Sequence, residues 1–230
     1  MIDGKFSNEF QGQVNQQVDL SNKVVIPGLI NSHTHAAMTL FKGFADDLTF
    51  KDGWEGKVWP AEAKMTTNDV QAGMRIATHE IFSTGTTTIN DMYFHMEHLA
   101  EVCKDFCLPA HLSLGPIIPK IFPGEYQQKI LNRIKLLKDY GQSRIHGVLT
   151  PHAPYSLHRE DLEWVADVSK THDLPIHMHV AENMWEEEQC KADHGGLGPI
   201  KLLDQTGILD RPFIMAVSYT HLTLPTICSV

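Results

Sequence analysis

Residues 24–35, VVIPGLINSHTH, form an almost continuous apolar run broken by Pro27 and Gly28. A run without alternation predicts a strand buried on both faces. The preceding segment, 1–23, is rich in Gln and Asn, with strand-like pieces FQGQV and QVDL, and reads as the end of a small β unit or a loose arm. Residues 36–65 show no clean period. They read as a long loop with a short helix, and a connection of that length is usually functional, often a pocket wall.

From residue 68 the period alternates regularly. Asn68 is the expected N-cap of the helix DVQAGMRIATHEIFSTG. TTTIND, 86–91, is β-branched and predicts a strand. A helix over 95–107 and a strand over 109–114 follow. In GEYQQKILNRIKLLKDYG, Ile130, Leu131, Ile134 and Leu137 fall on one helical stripe, with Gly141 as the expected stop. RIHGVLT predicts a strand, HREDLEWVADVSKTHD a helix, and LPIHMHVAE, 174–182, another strand. One helical stretch is expected from Trp185 to about Leu203, and RPFIMAV opens a last strand.

Six strands separated by helices imply a parallel sheet with helices outside. An open doubly wound sheet is one arrangement of such units, but no G-x-G-x-x-G turn and no G-x-x-x-x-G-K-[ST] loop occurs. The polar chemistry (His33, His35, Asp91, His152, His179 and Glu182) falls at the C-terminal ends of strands, where a (β/α)8 TIM-barrel type fold places its site. The expected class is therefore α/β, an incomplete barrel of about six βα units over 24–216. The segment 217–230 is expected to be a non-native tail.

Composition narrows the function. The 230 residues carry 19 basic and 28 acidic side chains, 19 − 28 = −9. An acidic chain lacks the basic face that tracks nucleic-acid phosphates or anionic membranes. At 42% apolar and 20% charged it is a folding sequence. No apolar run reaches membrane-spanning length, and MIDGKFSNEF is too polar for a secretory signal. Cysteines 103, 107, 190 and 228 are too scattered for a disulfide scaffold. A cytoplasmic location is the expectation.

The 14 histidines carry most of the chemical signal. In His33-Thr34-His35, residues two apart on a strand share a face, so both imidazoles can approach one cation. The bland alternative is a pair capping a strand end. His179 is a candidate third ligand, since imidazole suits zinc or iron, and Glu182 beyond it is placed as a proton shuttle. His177 reads as layer packing. His152, between Pro151 and Pro154, can exchange a proton near neutrality or simply bond backbone. Glu62, in the irregular segment beside Trp59, is a candidate for ribose hydroxyls or a ring nitrogen, or else a surface acid. Asp91 is a helix cap or a partner to a metal histidine. His79-Glu80 starts an H-E-x-x-H, but residue 83 is Ser. Cys103 and Cys107, one helical turn apart, are expected to face the core.

The stretches PGLINSHTHAAMTLFKG, WPAEAKMT, GTTTINDMYFH, TPHAPYSL and PIHMHVAEN occur in this order. Together they resemble the amidohydrolase superfamily, in its cytosine deaminase/atrazine chlorohydrolase-like branch, over roughly 18–216. The resemblance implies one divalent metal, most often zinc, on His33, His35 and His179. It implies substrate contacts from Glu62 and His152, with Glu182 touching the base and moving protons. The implied reaction is hydrolytic deamination of an adenosine-type nucleoside, such as 5′-methylthioadenosine or S-adenosylhomocysteine, to the inosine analogue plus ammonia. Guanine, cytosine or a triazine are alternative substrates, and an inert fragment is the non-enzymatic alternative. The resemblance also implies a small β-sandwich of which 1–23 is the N-terminal remnant, a homo-oligomeric parent, a histidine ending the sixth strand and an aspartate after the eighth. His221 is out of register for that histidine, and no seventh strand follows. This chain alone is therefore expected to bind zinc weakly and turn over little substrate.

Overall fold

The computed structural model describes residues 12–13, 16–120 and 124–218. Of the segment assigned to a sandwich remnant, the described residues 12–13 and 16–23 carry no strand. His221 and nearly all of the expected tail lie outside the described residues.

Six strands form one sheet in the order of the sequence, every neighbouring pair parallel. They are β1 (Leu29–Thr34), β2 (Thr86–Asp91), β3 (Ala110–Ile117), β4 (Ile145–Pro151), β5 (Ile176–His179) and β6 (Phe213–Ala216). Parallel neighbours need long crossovers. The crossovers here hold α1 (Phe50–Gly53), α2 (Trp59–Glu62), α3 (Thr67–Ser83), α4 (Met96–Asp105), α5 (Tyr126–Leu136), α6 (Arg159–His172), α7 (Met184–Asp193) and α8 (Pro199–Gln205). The sheet is strongly curled. β1 and β5 are four places apart, about 19 Å in a flat sheet, yet His33 Nδ1 on β1 lies 2.7 Å from His177 Nε2 on β5. It is a barrel wall nearly closed on itself, the incomplete TIM-barrel form the sequence implies.

The core lies on both sides of the middle strands. Leu112 and Leu114 of β3 and Leu149 of β4 are fully buried, as are Met74 of α3, Leu99 of α4 and Leu162 of α6. β1 departs from expectation. Val24, Val25, Ile26, Leu29 and Ile30 are exposed rather than buried on both faces. Among the described residues β1 pairs on one side only, with β2, so it lacks the second neighbour that encloses an interior strand.

Several boundaries also shift. The N-cap of α3 is Thr66, not Asn68, because Thr66 and Asp69 form a reciprocal capping box. The helix after residue 124 runs past Gly141 as a 3₁₀ segment, Leu137–Ser143, and turns at Arg144 in the left-handed region. The single helix expected from Trp185 to Leu203 is two. Gly195 and Gly196, at φ +63° and +87°, break it, and Pro199 starts α8. The strand expected over 174–182 keeps only its middle four residues.

Candidate functional site

Three imidazoles meet at the C-terminal rim of the sheet. β1 delivers His33 and β5 ends on His179, while His35 follows β1 directly. One ring nitrogen from each of His33, His35 and His179 lies within 4.8 Å of the others. The ring centroids are 4.9 Å apart for His33–His35, 5.0 Å for His33–His179 and 5.3 Å for His35–His179. Curling of the sheet makes this possible, since it brings β1 and β5 face to face.

Neighbours fix the ring roles. His35 Nδ1 lies 2.6 Å from the Met92 carbonyl oxygen. A carbonyl only accepts, so Nδ1 carries the proton and Nε2 the lone pair. That Nε2 faces His179 Nε2 at 3.3 Å. Two nitrogens bound 2.0–2.1 Å from a tetrahedral zinc stand about 3.3 Å apart, so the spacing suits one ion between the rings. His33 Nδ1 pairs with His177 Nε2, whose own Nδ1 is buried with no hydrogen-bond partner. His177 thus backs His33 from within the wall.

Electrostatics point the same way. Burial, reinforced by neighbouring imidazoles, pulls His179 down to about 2 and His177 to about 3. Burial likewise takes His33 and His152 to about 4, with His35 adding to the depression of each. Burial also lowers His35, against the Met92 bond. Neutral imidazoles are the form that binds a cation. The donor set therefore fits a divalent ion of borderline softness such as zinc.

Beside the triad opens a small cavity. His35, His152 and His179 line it on one side, and Trp54, Trp59, Tyr93 and Phe94 supply flat apolar walls. The irregular segment 36–65 thus does wall the pocket, through a continuous helical stretch from α1 to α2. Glu62, ending α2, lines the same cavity and accepts a 2.7 Å hydrogen bond from the Tyr93 hydroxyl. Burial raises the Glu62 carboxyl, while Tyr93 opposes that rise. His152 stacks edge-on to His179 at 5.1 Å, and its Nδ1 lies 3.1 Å from Ser156 Oγ. Glu182 is half-buried three residues beyond His179 and is not part of the cavity lining; burial raises its carboxyl.

Asp91 makes no hydrogen bond to the imidazoles. It is fully buried and accepts the Ala36 N–H at 2.7 Å, anchoring the 3₁₀ turn Ala36–Phe41 that follows His35. Cys103 is buried as expected, but Cys107 is exposed because the helix ends at Asp105 and Cys107 turns at φ +53°. Tyr93, Phe94, Pro116 and Ile118 line the cavity without having been singled out in the sequence. Only Tyr93 carried a signal, as a polar aromatic two residues past a strand-end aspartate.

Comparison with known proteins gives a consistent answer. The model of the amidohydrolase family matches residues 24–229. A 5′-deoxyadenosine deaminase of Methanoregula boonei is 38% identical over 213 residues, 90% of this chain and 47% of its own length. A 5-methylthioadenosine/S-adenosylhomocysteine deaminase of Dictyoglomus thermophilum is 38% identical over 202 residues, 86% of this chain and 46% of its own length. Among solved structures, an adenosine deaminase from Xanthomonas campestris with bound zinc superposes with a TM-score of 0.75 at 31% identity. It covers 82% of this chain and 44% of that one. The chain spans about half the length of the curated relatives it matches.

Proposed function

Because the chain belongs to the amidohydrolase family, we propose that it carries site residues of a metal-dependent deaminase of adenosine-type nucleosides. The observation behind this reading is the triad, with three neutral imidazoles converging beside a cavity walled by aromatic rings and closed by one carboxylate. The names of the relatives, deaminases of 5′-deoxyadenosine and of 5-methylthioadenosine or S-adenosylhomocysteine, support the nucleoside class.

His33, His35 and His179 would hold the ion. When bound, a divalent ion supplies water made acidic enough to react at neutral pH. The protein's residues do the rest. Trp54, Trp59 and Phe94 offer faces on which a purine stacks, excluding water from it. Glu62, held by Tyr93, accepts hydrogen bonds from sugar hydroxyls. His152, kept neutral by burial, donates or accepts one hydrogen bond at the reacting edge of the base. Glu182, raised by burial, takes both protons of the attacking water in turn, passing one to the ring nitrogen and one to the departing ammonia.

The test is metal and ligand binding by this chain. Equilibrated with excess zinc, it should take up one ion per chain, weakly held, and lose that uptake in His35→Ala and His179→Ala. In calorimetry the zinc-loaded protein should bind 5′-methylthioadenosine in preference to guanine, with ammonia release following the same order. Zinc retained equally by both variants, or a preference for guanine, would refute the proposal.

A further inference from the structure

Glu186 is a fully buried carboxylate that none of the steps above employs. Its Oε1 accepts the Ala181 N–H at 3.0 Å, and its Oε2 accepts the Glu182 N–H at 2.8 Å. Ala181 stands at φ +56°, a left-handed conformation that a side-chain-bearing residue keeps only where its surroundings impose it. The imposing group is visible. Two successive amides turned to one side form a concave anion seat, and Glu186 fills it from the first turn of α7. There it also faces the positive end of the helix. Asn183 Oδ1 accepts the Glu186 N–H at 2.9 Å, so the helix start and the turn are tied to each other. On the other side, Val180 N–H donates to the Ala216 carbonyl at 3.1 Å, fixing the turn to β6.

We propose that Glu186 is a positioning residue whose carboxylate clamps the Ala181–Glu182 peptide in its left-handed turn and thereby sets where Glu182 stands relative to His179. The inference rests on the reading of Glu182 as the proton-moving group. A buried carboxylate is costly unless its oxygens are bonded, and here both bonds come from the turn that carries Glu182. Glutamine at 186 would keep the volume and one acceptor but set an NH₂ group against the second amide. Alanine would release both amides.

Amide hydrogen exchange and steady-state kinetics on the zinc-loaded protein test this together. In Glu186→Ala the Ala181 and Glu182 amides should exchange roughly a hundredfold faster, about tenfold for each bond lost, and in Glu186→Gln about tenfold faster. Protection at Leu112 in β3 should be unchanged, which shows that the variants fold. The low deamination expected of this chain should fall about a further tenfold or more in kcat in Glu186→Ala, with KM within about twofold, and Glu186→Gln should recover part of it. Unchanged exchange at both amides overturns the clamp, and faster exchange with unchanged kcat overturns its role in positioning. Full kcat in Glu182→Gln would instead overturn the reading of Glu182, while the exchange rates still decide the clamp.

Discussion

At the scale of single residues, the cavity depends on contacts between side chains that are far apart in sequence. Tyr93, almost fully buried, donates to Glu62 across 31 positions, with Met65 Sδ 3.5 Å from the same hydroxyl. Replacing Tyr93 by Phe leaves the ring and removes only that donor. A hydrogen bond to a charged group contributes about 1.5–3 kcal/mol. Tyr93→Phe should therefore weaken nucleoside binding about tenfold or more while zinc stays at one per chain; calorimetry on the zinc-loaded variant checks it. The histidines of the triad were legible because H-x-H at a strand end is a local pattern, and H-x-x-E after another strand is a second. Tyr93 and Glu186 were not, since each acts through a partner that only the fold brings near. His177 read as layer packing, but in the fold its Nε2 pairs with His33 Nδ1 at 2.7 Å, a partnership no local pattern announces.

At the scale of elements, the strands could be read because β-branched and apolar runs mark them, and TTTIND matches β2 residue for residue. The ends were harder to read, because they depend on caps and turns that compete with periodicity. Thr66 outdid Asn68 by forming both halves of a capping box, and the Gly195–Gly196 pair cut a helix that the apolar pattern alone would continue. Packing between elements constrains the site as well. At Gly73 of α3 a β-carbon would lie 2.3 Å from the Ala37 carbonyl oxygen, in the 3₁₀ turn directly after His35. That turn cannot yield easily, because Asp91 holds its first amide. Alanine gains about 1 kcal/mol of helix propensity over glycine, but overpacking against backbone costs about 1–3 kcal/mol. Gly73→Ala should lower the urea midpoint and also weaken zinc binding, because the displaced turn carries His35 with it. A variant with unchanged midpoint and unchanged zinc affinity would contradict this.

At the scale of the whole molecule, burying so many titratable groups ties stability to pH. In the metal-free protein His33 and His152 titrate near 4, His177 near 3 and His179 near 2, against an ordinary 6.5. Between those values the unfolded chain binds more protons, so their contribution is complete above about pH 6.5 and is lost as pH falls toward 4. Asp91 and Glu186 act oppositely. Burial lifts both to about 7, from 3.8 and 4.5, so the native state binds more protons in that interval and is favoured by acid. Four imidazoles against two carboxyls leave a net loss of stability on acidification from pH 6.5 to 4.5. Urea midpoints of the metal-free protein at several pH values in that window should fall together with pH, and a flat series would refute the balance. The overall architecture was legible as repeated βα units; the closeness of β1 and β5 was not, because curvature is a property of the assembled sheet and of no segment of it. One feature of the barrel wall has a wider reach. The Met92 carbonyl holds His35 and the adjacent Tyr93 hydroxyl holds Glu62, so a single peptide link joins a candidate ion ligand to the carboxylate of the cavity wall. If an ion and a nucleoside occupy these two places, thermodynamic reciprocity requires that whatever factor one imposes on the other's affinity be returned unchanged.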